Sequence, residues 1–447
     1  MSKQLWMAST KKRTKISVAL CMWLGGTLIA AAQGADLVSV YQQALNNDSV
    51  LRSAAAGRDA AKEVGPQSRA ALLPAIMLGA DRSFVQQRKT FPENYPIGGW
   101  NLSLVQPLFR WDRWLSLKQA DAKIAQSEWS FQAATQSLLL RVASAYFDLL
   151  AAEENVHFAA AETKAMARQL AVAKERLAVG AAILTEQHEA QTGFDFSQAQ
   201  EIAVQNELEN RREALREIVG TLSEPLAALR DNIQFPQPDP SDPEKWITSV
   251  RDHNPTLQMA RLQVQIAEGD HKKAKAGHLP SVDLVLSHTY EDNQASMNWF
   301  GRERDTDVAM LKMTLPLFLG GQVTSAERQA VAGTEQARND LDTADRQIVR
   351  GTRDAFRAVG SSLAQIKAYS QALVSAKSTL NTTVEGREVA VRTMVDVLNA
   401  ERDYYRAQRN LSSARHNYIL SSFKLKSMNG SLSPADLAAV NQWLGQY

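Results

Sequence analysis

Residues 138–156 read LLLRVASAYFDLLAAEENV, and Leu138, Val142, Ala145, Leu149, Ala152 and Val156 step along them by four, three, four, three and four. This seven-residue beat lays one apolar seam along a helix that packs against another. The stretch lies inside a window, Leu108 to Glu224, that runs 117 residues without a proline. A second window of the same length, Leu317 to Ser433, is also free of proline, and all fourteen prolines fall outside the two. Within a helix a proline costs about 3 kcal/mol, because it lacks an N–H and its ring clashes with the preceding turn. Windows this long, rich in Ala, Gln, Glu, Arg and Leu, therefore read as helix. Half of one window is a rod of roughly 85 Å at about 1.5 Å per residue, far beyond the usual helix of about 11–12 residues. The second window repeats the beat at Leu363, Ile366, Ser370, Leu373, Lys377, Leu380 and Val384, with Ser370 and Lys377 as polar interruptions. Each window is predicted to fold as a helical hairpin. Gly180 is a helix-ending residue in the first, and Ala390 occupies its place in the second.

The two windows belong to a duplication. Leu73-Pro74 matches Leu279-Pro280 at an offset of 206, and Pro107-Leu108-Phe109 matches Pro316-Leu317-Phe318 at 209. Gly220-Thr221-Leu222-Ser223 matches Gly430-Ser431-Leu432-Ser433 at 210. A register this constant marks an internal repeat. The first copy spans 36–240: a helix from Asp36 to Arg69, a strand pair over 75–109, a helical hairpin over 110–224 and a proline-rich linker over 225–240. The second spans 241–447: a helix, a strand pair over 281–318, a hairpin over 319–430 and a C-terminal segment over 431–447. In the strand pairs Trp100, Leu102 and Leu104 alternate with Asn101 and Ser103, as do Leu311, Met313 and Leu315 with Lys312 and Thr314. Alternation of period two gives each pair one apolar face.

Residues 1–35 read as a signal peptide, with Lys11, Lys12, Arg13 and Lys15 before an apolar run from Ile16 to Ala30 and then small residues. The run is short of the roughly 20 residues of a membrane span. Removal of this segment takes away five basic residues and Cys21, the sole cysteine. The remaining chain has 45 basic against 48 acidic residues, a net −3. Nucleic-acid binding loses its electrostatic basis, and disulfide or thiolate chemistry loses its residue.

Four amphipathic strands cannot close a barrel, because every backbone group in lipid must be paired and the smallest bacterial barrels have eight strands. Closure requires several chains. At this point the sequence resembles the TolC-like outer-membrane efflux and type I secretion channels. The likeness is carried by Val40-Tyr41-Gln42-Gln43-Ala44, Gly57-Arg58-Asp59-Ala60-Ala61, Leu72-Leu73-Pro74, Gln106-Pro107-Leu108-Phe109 and Thr393-Met394-Val395-Asp396-Val397-Leu398-Asn399-Ala400. It implies a mainly α fold: a homotrimer with a twelve-stranded β-barrel in the outer membrane and an α-helical tunnel in the periplasm. A small mixed layer rings the waist, where the linker and C-terminus would sit. It also implies partners: a periplasmic adaptor at the hairpin tips around Gly180 and Ala390, an inner-membrane ABC transporter or proton-driven pump, and outer-membrane lipid. Acidic residues of three chains form a constricting ring at the tunnel mouth in such channels. Asp396 matches its first position, and Asn399 stands at the second, usually acidic position, which halves the formal charge. Arg392 matches the arginine that ties the mobile hairpin to its neighbour, Glu186 an acidic partner, and Arg387 a position where the family can carry an aromatic. On spacing alone Asp396, Arg392 and Glu186 are ordinary solvated charges near a turn. Converging carboxylates would raise one another's pKa, which suits a gate or ion filter.

No zinc-type spacing joins the seven histidines, and no nucleophile elbow, P-loop or dinucleotide fingerprint occurs. The chain reads as no enzyme, with neither cofactor nor metal. Phe91, Tyr95, Trp100, Trp299 and Phe300 are candidates for an aromatic belt at the membrane interface. The expectation is an exit duct of a tripartite export system. Type I protein secretion is favoured over a multidrug efflux pump, because Val18-Ala19-Leu20-Cys21 makes a poor lipoprotein site. A soluble periplasmic coiled-coil scaffold is the alternative of a different class.

Overall fold

A computed structural model describes residues 35–87, 93–221, 225–230, 232–293, 303–389 and 391–445. Residues 1–34 of the expected signal peptide, Phe91, Trp299, Phe300 and Ala390 lie outside the described residues. In chain order the helices are α1 (Leu37–Asn47), α2 (Ser49–Lys62), α3 (Val64–Ala70), α4 (Trp111–Ala178), α5 (Leu184–Val219), α6 (Pro243–His253), α7 (Pro255–Ala276), α8 (Gln322–Glu388), α9 (Met394–Met428) and α10 (Pro434–Asn441). The strands are β1 (Ala75–Gln87), β2 (Glu93–Phe109), β3 (Ser281–Asn293) and β4 (Glu303–Thr314).

The windows do form hairpins, but with unequal arms. α4 and α8 have 68 and 67 residues, whereas α5 and α9 have 36 and 35. The long arms reach about 100 Å and the short ones about 54 Å. The missing half of each short stave is supplied by another helix. Asn47 Nδ2 donates to Val219 O at 2.7 Å, joining the end of α5 to the start of α2. Asn254 Nδ2 donates to Met428 O at 2.7 Å, joining α9 to α7 in the same way. The orphan carbonyls at a helix end thus find donors at the start of the next rod. α4 is flanked by α5 and α9 in its lower part and by α2 and α7 in its upper part, while α8 runs beside α9 and α7.

The single helix expected from Asp36 to Arg69 is three helices. Its first break falls where the Asp48 carboxylate accepts from Leu51 N–H at 2.6 Å and caps a new start. The strand pair expected over 281–318 ends at Thr314, and Leu315 to Phe318 lie outside any strand. The seam of α8 is also displaced. Ser370 and Lys377 are exposed, and the residues turned inward are Ser362, Ile366, Tyr369, Leu373, Ala376, Leu380, Thr383 and Arg387, still stepping by four and three. One residue of rotation keeps both polar groups in solvent without breaking the heptad.

The four strands form one antiparallel sheet in the order β1-β2-β3-β4. Registers align Ile76, Leu104, Leu286 and Ala309 in one row and Leu78, Leu102, His288 and Asp307 in the next, all on one face. The other face is the more polar, carrying Asn101, Thr289 and Thr306 in one row and Ser103 and Ser287 with Met77 and Val308 in the next, with Asn101 Nδ2 donating to Thr289 Oγ1 at 2.6 Å. A Cβ on Gly99 would stand 2.3 Å from Tyr290 O, so β2 and β3 can approach there only at glycine. β1 and β4 each keep one unpaired edge within the chain.

The principal core lies at the waist. Leu138, Leu139, Val142, Tyr146, Phe147, Leu149 and Leu150 of α4 pack with Leu37 and Tyr41 of α1, Ile419 and Phe423 of α9, Leu437 of α10, and Leu226 of the linker. The linker runs extended, making isolated bridges from Leu226 to Ala35 and from Leu229 to Leu444. At the base of the sheet Arg110 grips the buried Asp283 with two bonds, 3.0 and 2.6 Å, tying the start of α4 to β3.

Candidate gating site at the hairpin tips

Both long arms end in a returning backbone bond of the same span. Gly180 takes φ +73°, a left-handed conformation that a β-carbon resists, and Ala181 N–H returns to Arg176 O at 2.8 Å. In the second hairpin Val391 N–H returns to Gly386 O at 2.8 Å. Beneath the turns Met166, Leu170, Ala173, Ala190, Met394 and Leu398 form a small apolar cluster of their own. It ties α4 and α5 of one hairpin to the first turns of α9 in the other. The turns themselves expose aliphatic side chains: Val179, Ile183 and Leu184 in the first, Val389 and Val391 in the second.

Asp396 is the third residue of α9 and closes a capping box with Thr393. Thr393 N–H donates to Asp396 Oδ2 at 2.9 Å, and Asp396 N–H donates to Thr393 Oγ1 at 3.2 Å. These bonds, with Arg392 nearby, hold the Asp396 carboxyl below the usual carboxylate range. Within a single chain, then, the shift runs opposite to that expected of converging carboxylates, because the first partner met is the helix's own N-terminus. Asn399 lies one turn on and is exposed.

Arg387, Arg392 and Glu186, the residues expected to form a latch, pair differently from the expectation. Arg387 in the last turn of α8 is buried, and its Nη2 donates to Glu186 Oε2 at 3.2 Å. Its Nη1 faces Met394 Sδ at 2.6 Å. Burial pulls the Arg387 pKa down and Arg176 adds to this, while Glu186 opposes it. Glu186 belongs to the first turn of α5, so this pair bridges the two hairpins. Arg392, the expected partner of Glu186, is exposed and makes no ion pair among the described residues. Its stem packs over Gly386, where a β-carbon would lie 3.0 Å from Arg392 Cγ. Arg387 takes the contact because it projects inward on the heptad seam, whereas Arg392 sits in the turn.

Of the aromatic candidates, Trp100 stacks on Tyr290 at 6.4 Å and lies near His288 at 4.8 Å on the apolar face of the sheet. Tyr95, five residues earlier in the same strand, points to the opposite, polar face. The sequence reading passed over Phe109, Trp111, Trp114 and Phe318, which are all exposed near the base of the sheet. Their position directly after the strands was the available signal. Among the described residues no cluster of His, Cys, Asp and Glu could hold a metal ion, and no helix is long and apolar enough to cross a membrane.

A family model described as "Outer membrane efflux protein" matches residues 40–221 and 246–431, both copies of the repeat. The chain belongs to the outer membrane efflux protein family. It is 37% identical over 421 residues to the outer membrane protein TolC of Vibrio cholerae, covering 94% of this chain and 96% of that one. It is 29% identical over 436 residues to the alkaline protease secretion protein AprF of Pseudomonas aeruginosa, covering 94% and 90%. Among solved structures, the Campylobacter jejuni CmeC outer membrane channel superposes with a TM-score of 0.77 at 16% identity, covering 91% of this chain and 89% of that one. The family places this chain in the outer membrane, and the shared fold is that of a channel with strands at one end and long helices at the other.

Proposed function

We propose that this chain is the exit duct of a tripartite export system, assembled as a homotrimer, and that it performs no catalysis of its own. The observation that carries the reading is the four-stranded sheet, one face more apolar than the other, with an unpaired edge on each side. Unsatisfied edges are costly in lipid, and three copies joined β4 to β1 remove them in a barrel of twelve strands. The apolar face then meets lipid and the polar face lines the lumen. Nine residues separate Trp100 from Phe109, roughly 30 Å of strand at about 3.3 Å each. A tilt of about 40° reduces this to roughly 23 Å, close to the height of a barrel's apolar band. Phe84, Trp100 and Tyr290 would mark its outer edge, and Phe109, Trp111, Trp114 and Phe318 its inner edge.

The helical rods then form the walls of a periplasmic tunnel whose mouth lies at the tips. There Asp396 of each chain narrows the opening, and the Arg387–Glu186 pair holds the second hairpin against the first. The exposed Val179, Ile183, Leu184, Val389 and Val391 offer apolar contacts to a periplasmic adaptor. An energised inner-membrane pump would drive transport through the assembly. The likeness to a protease secretion protein supports protein export with an ABC transporter, and the likeness to TolC accommodates drug efflux by a proton-driven pump. Crosslinking in cells followed by purification separates these two outcomes by the transporter recovered. Fractionation tests the reading as a whole: the chain should require detergent for release and then conduct ions in planar bilayers. Recovery in the osmotic-shock fraction as a water-soluble monomer would replace the duct with a periplasmic scaffold.

A further inference from the structure

Between the tip cluster and the waist, α9 meets α4 through polar side chains at heptad spacing. Glu401 faces Gln169, Tyr405 donates to Ala161 O at 3.2 Å, Arg409 pairs with Glu162 at 2.8 Å, and Ser412 bonds Glu154. Glu401 is the anomaly in this seam. It is 7% exposed, and one oxygen accepts from Gln169 Nε2 at 3.1 Å. The other oxygen is buried with no hydrogen-bond partner among the described residues. Every other acidic side chain named in the seam has a cationic or hydroxyl partner. Glu401 has an amide and a bare oxygen, one turn beyond the tip cluster residue Leu398.

An ionised carboxylate in that position is costly, because a buried charge needs pairing as well as hydrogen bonds. The same group would be solvated if α9 moved away from α4. The two hairpin arrangements therefore differ in their affinity for one proton, which is the condition for a proton to shift the balance between them. The groups around Glu401 do not cancel this difference. On α4, Arg168 favours ionisation and Glu162 opposes it, and Glu162 is already engaged by Arg409. On α9 the next facing group is the Tyr405 hydroxyl. Ala190 and Gly193 of α5 approach the tip without charge, with the Arg402 guanidinium of α9 3.7 Å from the β-position of Gly193. From α8, Arg387 reaches α9 at Met394 and is countered by Glu186. Burial raises the Glu401 pKa above the usual carboxylate value. With the closed-state value raised, the neutral form belongs to the closed packing. That packing is at full strength below the ordinary carboxylate range and weakens as pH rises through the raised value.

We propose that Glu401 is a proton-operated catch between the hairpins, holding α9 against α4 when protonated and releasing it when ionised. The inference rests on the reading of the tips as the tunnel mouth, and it adds a control that the mouth residues do not themselves supply. The test uses the full-length trimer in planar bilayers, with conductance recorded from pH 5 to pH 9. Wild type should open progressively with rising pH. Glu401→Gln keeps the shape and the bond to Gln169 but cannot ionise, and it should hold the low-pH conductance across the range. Gln169→Leu removes the one donor that favours the ionised form, and it should move the opening transition to higher pH. One unit of pKa difference between the two arrangements changes their ratio tenfold, so the wild-type change should be several-fold. A wild-type pH profile unchanged in Glu401→Gln would overturn the catch. Divalent-cation block measured on Asp396→Asn in the same bilayers keeps the two readings apart. If that block is lost while Glu401→Gln changes nothing, the mouth assignment stands and the catch falls. If block is unaffected in Asp396→Asn, it is the mouth assignment that fails.

Discussion

At the residue scale, Asp396 combines a structural bond with a partly exposed position at the tip. Its carboxylate caps α9 and is also the acidic group assigned to the mouth. Replacing it with Ala is expected to weaken divalent-cation block in bilayers, and also to loosen the first turn of α9 through loss of the capping box. Thr393→Ala loses the same box but keeps the charge, so it should leave block intact. Equal loss in both variants would reduce Asp396 to a helix cap. His416 illustrates a different balance at the waist. It is 4% exposed against Phe147, neither ring nitrogen has a hydrogen-bond partner among the described residues, and burial lowers its pKa to about 4. Arg415 pushes in the same direction, and Glu154, 3.7 Å from Nε2, does not offset them. A folded value below the ordinary 6.5 means the neutral ring is the one that packs. Stability from this site is therefore complete above about pH 6.5 and falls as pH drops toward 4, by about 3 kcal/mol at most. His416→Phe should flatten the fall in melting temperature between pH 7 and pH 4.5. An unchanged slope would show that the acid sensitivity lies elsewhere.

At the scale of elements, the joints between stacked rods are where the two copies differ most instructively. In the second copy Asn254 does two things at once: its Oδ1 caps α7 through Leu257 N–H at 3.1 Å, and its Nδ2 reaches Met428 O. In the first copy the tasks are divided, with Asp48 capping α2 and Asn47 reaching Val219 O. Asn254→Ala should therefore cost about 2 kcal/mol, one for the cap and one for the bridging bond. Asn47→Ala should cost about half of that, because Asp48 keeps its cap. Amide exchange at Leu257 measures the first loss directly, with an expected rise of about fivefold. Equal costs in the two variants would mean that the joint is held by packing alone. The joints themselves were not legible in sequence, since an Asn before a helix signals a cap but not which distant carbonyl its amide will meet.

At the scale of the whole molecule, the sheet decides which way the chain faces. Leu311 lies on the apolar face and is 66% exposed in the single chain, whereas Ser287 lies on the polar face. An arginine at Leu311 would enter the lipid band at a cost of about 2–4 kcal/mol near its middle, while one at Ser287 would enter a watery lumen. Leu311→Arg should reduce assembly of detergent-resistant trimers, and Ser287→Arg should assemble normally with altered conductance. Equal tolerance of both would remove the assignment of faces. The same sheet sets the limit on the single chain, because β1 and β4 end in open hydrogen-bonding groups that further copies can satisfy.

The sequence by itself determined the long hairpins, the four alternating strands and the repeat, because each rests on local rules: proline exclusion, heptad spacing and period-two alternation. It also placed Gly180 at a turn, since a left-handed residue at a helix end is a local demand. Only the tertiary structure decided the unequal arms, the partnering of Glu186 with Arg387 instead of Arg392, the opposite orientations of Tyr95 and Trp100, and the burial of Glu401. Each of these depends on which distant surface a side chain meets, and a heptad shifted by one residue, as in α8, is enough to change that surface.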